Sequence, residues 1–312
     1  MDSTSLQIAA ALILDLFIGD PARIPHPVRL LGNLGTHLEI RCRTLEINLR
    51  LAGVLTLTAM IGASWLSVFL ILKAAAFIDP VLHILACVII FYTTFSIRDL
   101  LLHARAVVRA LESENLTLAR EKVGMIVGRD TSSLSEAGVI RAAVESVAES
   151  LVDGITAPLF YGFLAGPAGA VIYKAINTAD SMFGYKNDYY RQFGWAGARL
   201  DDLANFIPAR LTALLIPAAA FMLGLNAKNS WRILERDRKK HASPNSGHTE
   251  AAAAGALNIQ LGGGSIYFGE LISKPTIGIP GQTPRPDHIR QINRLMLTTT
   301  GLNFILLLPL GL

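Results

Sequence analysis

Charge is scarce in this 312-residue chain: Asp, Glu, Lys and Arg make up 17% of it, against 52% hydrophobic residues, and the mean hydropathy is +0.43. That balance excludes an ordinary soluble domain and fits a membrane protein with sizeable polar loops. Cysteine is scarcer still. Cys42 sits in a basic loop and Cys87 in an apolar run, so neither a disulfide framework nor a cysteine-based zinc site can be built, and both read as packing residues. No basic-plus-aromatic stripe appears, which sets nucleic acid aside as a partner; the net charge of +4 is read through loop placement instead. No G-x-x-x-x-G-K-[ST] run exists, so any ATP site is not a P-loop. His241 and His248 lack metal-ligand spacing with a third group and read as surface or hydrogen-bonding histidines. The opening MDSTSLQ lacks the basic region of a signal peptide, and the apolar stretch after it ends at Gly19-Asp20-Pro21 rather than at a small-residue cleavage site, so it reads as a retained helix.

What is present is a series of apolar runs. A spanning helix needs roughly 20 mostly apolar residues. Residues 51–72 meet that length; residues 81–97, started by Asp79-Pro80, are shorter; residues 6–19 are marginal and carry Asp15. Residues 155–176 hold Gly166-Pro167-Ala168-Gly169 at their centre and read as a broken or re-entrant helix. Residues 207–225 contain Pro208 and Pro217, and residues 295–312 make a last span. Residues 98–122 read as one helix with Arg98, Arg105, Arg109, Arg120 and Lys122 on its polar face, residues 134–153 as a second, and residues 226–294 as the longest extramembrane part. The expected fold is all-α: a polytopic integral membrane helical bundle with broken or re-entrant helices and cytoplasmic amphipathic helices. No repeat or linker interrupts it, so a single domain over 1–312 is expected. The positive-inside rule puts 20–50, 98–154 and 226–294 in the cytoplasm and 73–80 outside. Residues 174–206, with Lys174, Lys186, Arg191 and Arg199, leave the number of spans open.

Six polar stretches could carry chemistry. In GDPARIPHPVR (19–29), Pro21, Pro25 and Pro27 set Asp20, His26 and Arg29 in a stiff, non-helical exit from an apolar run; it reads as an interfacial anchor or as part of a site. In RAAVESVAESLVDG (141–154), Glu145, Glu149 and Asp153 fall at i, i+4 and i+8, on one helix face. Like charges so spaced repel, and a cation or Arg141 would relieve them; the readings are a solvated face or a Mg²⁺ site completed by phosphate oxygens. In VGRDTSSLSEAG (127–138), Thr131, Ser132 or Ser133 can cap the following helix, and the free N–H groups beside Arg129 and Asp130 make an ordinary capped helix or a phosphate cradle. YKAINTADSMFGYKND (173–188) puts Asn177 and Asp180 on one face, flanked by Lys174 and Lys186. ARLDDLANFIPAR (198–210) supplies Arg199, Asp201, Asp202, Asn205 and Arg210, with Asp201 in reach of Asn205 at i+4. Charge crowded between apolar segments is expensive and marks function. Finally, SPNSGHTEAAAAGALNIQLGGG (243–264) opens with turn residues including Asn245, continues as a close-packing alanine-rich helix from Glu250, and is expected to end at Gly262–Gly264.

Taken together, DLFIGDPARIPHPVRLLG, VGRDTSSL, AAVESVAESLVDGITAPLFY, YKAINTADSMFGYKN, ARLDDLANFIPARL, SPNSG, EAAAAGALNIQLGG and KPTIG resemble, in order and spacing, the adenosylcobinamide-phosphate synthase family of cobalamin biosynthesis, of CobD/CbiB type. The resemblance spans nearly the whole chain, with departures at His248-Thr249, Gly264 and Ile279. It implies an integral membrane enzyme of the cell inner membrane that joins the free carboxylate of adenosylcobyric acid to 1-amino-2-propanol or its O-phosphate at the expense of ATP. The site would lie on the cytoplasmic side. Phosphoryl transfer needs Mg²⁺ and cations around the phosphates. On that reading the metal candidates are Glu145, Glu149, Asp153, Asp180 and Asp201. Phosphate and nucleotide contacts fall to Arg129, Asp130, Thr131, Lys174, Asn177, Lys186, Arg199, Arg210 and Asn245. Asp20, His26, Arg29, Glu145, Glu149 and Asp202 are the catalytic candidates. The lipid bilayer is a partner, and a homo-oligomer or association with later cobalamin-pathway enzymes stays open. The rival readings are a secondary transporter of a small anionic or corrinoid substrate, for which broken helices are the signature, and a membrane scaffold for soluble enzymes of the pathway.

Overall fold

The computed structural model describes residues 3–20, 26–267 and 270–311, those at 265–267 and 270–272 by backbone alone. Thirteen helices follow one another among these residues: α1 Ser3–Ile18, α2 Pro27–Arg43, α3 Leu49–Ile78, α4 Pro80–Tyr92, α5 Ile97–Glu112, α6 Leu116–Gly124, α7 Glu136–Leu151, a π turn Val152–Thr156, α8 Ala157–Phe183, α9 Trp195–Ala204, α10 Phe206–Met222, α11 Ala227–Asp237, α12 Ser246–Leu257 and, after the hairpin β1 Gln260–Tyr267 and β2 Glu270–Gly278, α13 Pro286–Leu307. The chain is therefore mostly helical. Among the described residues four helical runs are long and apolar enough to cross a membrane (Leu49–Ile78, Pro80–Glu112, Glu136–Phe183 and Pro286–Gly311), or five if Trp195–Ala204 and Phe206–Met222 count as one. On α3, Trp65, Leu66, Phe69, Leu70 and Phe77 are exposed, an apolar surface that lipid covers and water would not.

Contacts divide the chain into two compact units: residues 1–96, 153–205 and 307–312, and residues 97–152 and 206–306. In the first, α3 packs on α2, α4 and α8, and α8 on α9. The close seam is at Gly53, where a Cβ would overlap the carbonyl of Phe193. Ser64 on α3 donates to the Met60 carbonyl (2.7 Å), satisfying a buried hydroxyl within the helix. In α8, Ala165 and Gly166 leave helical geometry (Gly166 φ 65°, ψ −160°) just before Pro167. The break falls where Gly-Pro chemistry predicts it, since proline both lacks a donor and restricts its predecessor.

In the second unit α12 is the central rod. Ala251 to Ala254 are fully buried, and small side chains let α11 approach: a Cβ on Gly255 would overlap the Asn229 carbonyl, while Ser230 donates to the Ala252 carbonyl (2.8 Å). The expectation of a close-packing helix is met. The way it ends is not as expected. Asn258, in the left-handed region (φ 53°, ψ 37°), terminates α12, and Gly262–Gly264 lie in β1, antiparallel to β2 with a bulge between Leu261 and Gly263. The glycines serve strand geometry: Gly262 has φ 79°, and a Cβ there would overlap the Pro275 carbonyl.

Three further local expectations are corrected. Residues 98–122 are two helices, because Glu114 adopts φ 56° and Asn115 caps a new start by accepting from the Leu118 N–H (2.9 Å). The cap of α7 is Ser135, which accepts from Gly138 N–H (3.2 Å); Thr131 instead donates to the Arg120 carbonyl (2.9 Å). The stretch after His26 is helical: Pro27 occupies the first position of α2, where a missing N–H costs nothing. Pro21 and Pro25 lie outside the described residues.

Candidate functional site

Polar side chains cluster in both units. In the second unit, α7, the segment before it, α12 and the hairpin enclose a cavity of about 180 Å³ lined by Arg129, Glu145, Glu149, His241, Glu250 and Lys274. Glu145 is held from two sides. Arg129 ion-pairs with one carboxylate oxygen, and the Gly262 N–H donates to the other (2.7 Å). Arg129, rather than Arg141, is the cation that relieves the acidic face. Glu149 accepts from the Ser246 hydroxyl (3.1 Å) at the start of α12. Ser146 donates to the Ile126 carbonyl (2.5 Å), which pins the Gly128–Arg129 segment to α7.

His241 and Glu250 form the wall opposite. Their Nε2 and Oε1 atoms are 3.6 Å apart, and the Ser243 N–H donates to His241 Nδ1 (3.0 Å), which fixes that nitrogen as an acceptor. Burial first, then the charges of Glu145 and Glu149, push the Glu250 carboxyl well above the usual range. Burial likewise holds the His241 imidazole below its ordinary value. With Nδ1 engaged by Ser243, Nε2 is the imidazole nitrogen that meets the Glu250 carboxyl. Nearby, Asn245 accepts from Arg210 (3.2 Å), whose guanidinium lies 3.5 Å over the Phe206 ring. Asp130 is exposed and accepts from the Ser132 N–H (2.8 Å); that bond holds its carboxyl below the usual range.

In the first unit the centre is Asn205, just past α9. Its amide donates to Asp201 (2.9 Å) and to Asp153 (3.2 Å), while its carbonyl accepts from the Tyr173 hydroxyl (2.9 Å). Asn177 donates to the other Asp201 oxygen (3.3 Å), and Lys174 to the Asp153 carbonyl (3.4 Å). Two carboxylates thus converge on one amide, with the Lys174 ammonium subject to the charges of Asp153, Asp20 and Asp201. His26 and Asp20 lie 3.3 Å apart, and His26 Nδ1 accepts from the Val28 N–H (3.3 Å) as the cap of α2. Gly184 donates to the Asp180 carbonyl (2.6 Å). Arg29, Lys186 and Arg199 are exposed; Asp202, half-buried, feels the charges of Arg199 and Lys186.

The three-acid stripe is not a single ligand set. Asp153 falls in the π turn, whose wider winding breaks the α register. Among the described residues no three His, Cys, Asp or Glu side chains gather closely enough to hold a metal ion by themselves. Mg²⁺ usually takes only one or two carboxylates, with substrate phosphates completing its shell, so paired acids such as Glu145 and Glu149, or Asp153 and Asp201, still fit a phosphate-linked ion. Sequence reasoning missed the roles of Lys274, Ser246 and Glu250. Lys274 sits in the KPTIG block, and its position opposite α7 depends on the hairpin, which local sequence did not announce.

The family model described as CobD/Cbib protein matches residues 8–296. The chain is similar to the Cobalamin biosynthesis protein CobD of Leptospira interrogans serogroup Icterohaemorrhagiae serovar copenhageni (strain Fiocruz L1-130): 49% identical over 298 residues, 96% of this chain and 95% of the relative. It is 46% identical to the protein of that name from Desulfotalea psychrophila over 97% of each chain, and 44% identical to that of Clostridium perfringens over 88% and 87%. No solved structure matches.

Proposed function

The chain belongs to the CobD/Cbib family, and from that premise we propose that it acts in cobalamin biosynthesis as an adenosylcobinamide-phosphate synthase. The reaction joins adenosylcobyric acid to 1-amino-2-propanol or its O-phosphate. A carboxylate is a poor electrophile, so its oxygen first attacks the γ-phosphorus of ATP, ADP leaves, and an acyl phosphate forms. The amine nitrogen then attacks the acyl carbon, phosphate departs, and the amine's proton passes to a base, leaving the amide. The multi-pass chain lies in the cell inner membrane with this site on the cytoplasmic side.

The observation that carries the reading is the family match along almost the whole chain; the cavity of the second unit supplies its physical basis. Arg129 and Lys274 would neutralise phosphate oxygens, and catalysis of phosphoryl transfer is mostly positioning and charge stabilisation. At about 180 Å³ the cavity fits phosphate groups rather than a whole nucleotide, for which larger pockets are usual. Glu145 and Glu149 there, or Asp153 and Asp201 in the first unit, would hold Mg²⁺, which when bound spreads the charge of the phosphates. His26, His241 or a free carboxylate takes the amine proton, provided it comes within hydrogen-bond reach. The test is product formation by the purified protein in lipid nanodiscs with adenosylcobyric acid, each amine, ATP and Mg²⁺, followed by mass spectrometry. Adenosylcobinamide or its phosphate, formed with ATP, lost without it and lost in Glu149→Gln, supports the reading. Corrinoid counterflow into liposomes without ATP, and no amide product, would favour a transporter instead.

A further inference from the structure

Away from the Arg129 cavity, and sharing no lining residue with it, the second unit holds a larger one of about 440 Å³. Helices α5 and α13 bring Arg105, Arg109, Arg290 and Arg294 to its wall, against the single carboxylate of Glu112. The formal balance of these groups is four positive and one negative. Glu112 ion-pairs with Arg290, whose other amino group lies 3.9 Å from Asp287. Among the described residues no carboxylate pairs with Arg105, Arg109 or Arg294. Asn293 lines the same cavity; it is 6% exposed, and its side-chain oxygen is buried with no hydrogen-bond partner among the described residues. Buried amides are almost always satisfied, and clustered guanidinium groups repel unless an anion lies between them.

We propose that this cavity is a binding site for a phosphate group. Arginine is the side chain suited to it: the planar fork gives two parallel hydrogen bonds to phosphate oxygens, and it stays charged at every physiological pH. Arg105 and Arg109 are one helical turn apart on α5, and Arg290 and Arg294 one turn apart on α13, so each helix presents a pair of forks on one face. Asn293 adds a neutral amide able to meet a hydroxyl or N–H carried beside the phosphate. Both helices belong to runs apolar enough to cross a membrane, so the phosphate arrives either on a lipid headgroup or free in solution; the chemistry recognised is the same.

The experiment uses the full chain and compares it with Arg105→Gln/Arg294→Gln, which leaves Arg129 and Lys274 in place so that the other basic cavity contributes equally to both. One arm titrates inorganic pyrophosphate into the protein in neutral detergent by calorimetry. The other measures, by native mass spectrometry, retention of phosphatidylglycerol from mixed phosphatidylglycerol–phosphatidylcholine nanodiscs. An unchanged melting temperature shows that the variant folds, and Arg232→Gln, an exposed arginine on α11, controls for net charge. At least a tenfold loss of pyrophosphate affinity assigns the site to a soluble phosphate; a matching loss of retained phosphatidylglycerol assigns it to lipid. Arg105→Lys/Arg294→Lys should restore only part of either, because an ammonium lacks the fork. No binding of either probe, or binding equal in parent and double variant, overturns the proposal.

Discussion

The Arg129–Glu145 pair offers the sharpest energetic test of the second unit's cavity. The two side chains are 11% and 9% exposed, and Glu145 also accepts from Gly262 N–H at 2.7 Å. Glu145→Gln keeps the shape and an acceptor for Gly262, but leaves the guanidinium in a nearly closed space that already contains Lys274. Removing one partner of a buried pair costs about 3–5 kcal/mol, of which about 1.5–3 kcal/mol is the charge-assisted bond itself. Arg129→Gln should cost a similar amount, because Glu145 would then face Glu149 without its guanidinium. Removing both charges together removes the mismatch, so the double variant should be destabilised by less than the sum of the singles. The difference, a coupling energy of about 2 kcal/mol, is measured from unfolding of the four proteins in mixed micelles. With roughly 2 °C of melting temperature per kcal/mol for a chain of this size, each single variant should fall by about 6–10 °C and the double by about 8–16 °C, short of the roughly 12–20 °C that simple addition gives. Additivity to within about 0.5 kcal/mol would refute the argument, since it would mean that the two groups do not act on each other across the cavity.

Other outcomes follow from the same structure. Glu250 has a carboxyl value raised by burial and by Glu145 and Glu149. A group raised on folding stabilises fully below its unfolded value, about 4.3, and loses that contribution as pH rises through the folded value. Glu250→Gln, fixed in the neutral form, should melt higher than the natural chain at pH 8 and converge with it toward pH 4; a lower melting temperature at pH 8 would show that the fold holds the anion. Asn205→Ala takes away the amide between Asp153 and Asp201 and should lower kcat at least tenfold with assembly unchanged; full turnover would remove the first unit's cluster from the chemistry. Gly262→Ala forces a side chain at φ 79° into the Pro275 carbonyl and should cost more than about 1 kcal/mol, with a parallel loss of activity as the N–H leaves Glu145; unchanged melting and turnover would refute the role given to that strand.

What the sequence made legible is what local chemistry decides. Residues 51–72 announced α3 by length and hydropathy, Gly166-Pro167 announced the break in α8, and the alanine run announced a tightly packed α12. The i+4 spacing of Asp201 and Asn205 gave their bond in advance. What it hid depends on contacts distant along the chain. Nothing near Gly262 says that its N–H will meet Glu145, 117 residues away, and a glycine run after a helix reads as a stop signal until β2 is there to pair with it. Helix α2 was concealed by three prolines, of which one is only a helix start. Arg141 looked like the counter-charge because it is nearby in sequence, whereas Arg129, brought back by the turn before α7, supplies it. His241 reads from sequence as a surface or hydrogen-bonding histidine; the second half of that reading holds, and the cavity gives it a neighbour in Glu250.

The most direct test of the account follows an isotope. Adenosylcobyric acid with ¹⁸O in its free carboxylate is turned over by the purified protein with ATP and the amine, and the released phosphate is weighed. If the carboxylate attacks the γ-phosphorus, each amide formed sends one ¹⁸O atom into inorganic phosphate. Amide accumulating while the phosphate stays unlabelled, or the label appearing in AMP, would contradict activation through an acyl phosphate.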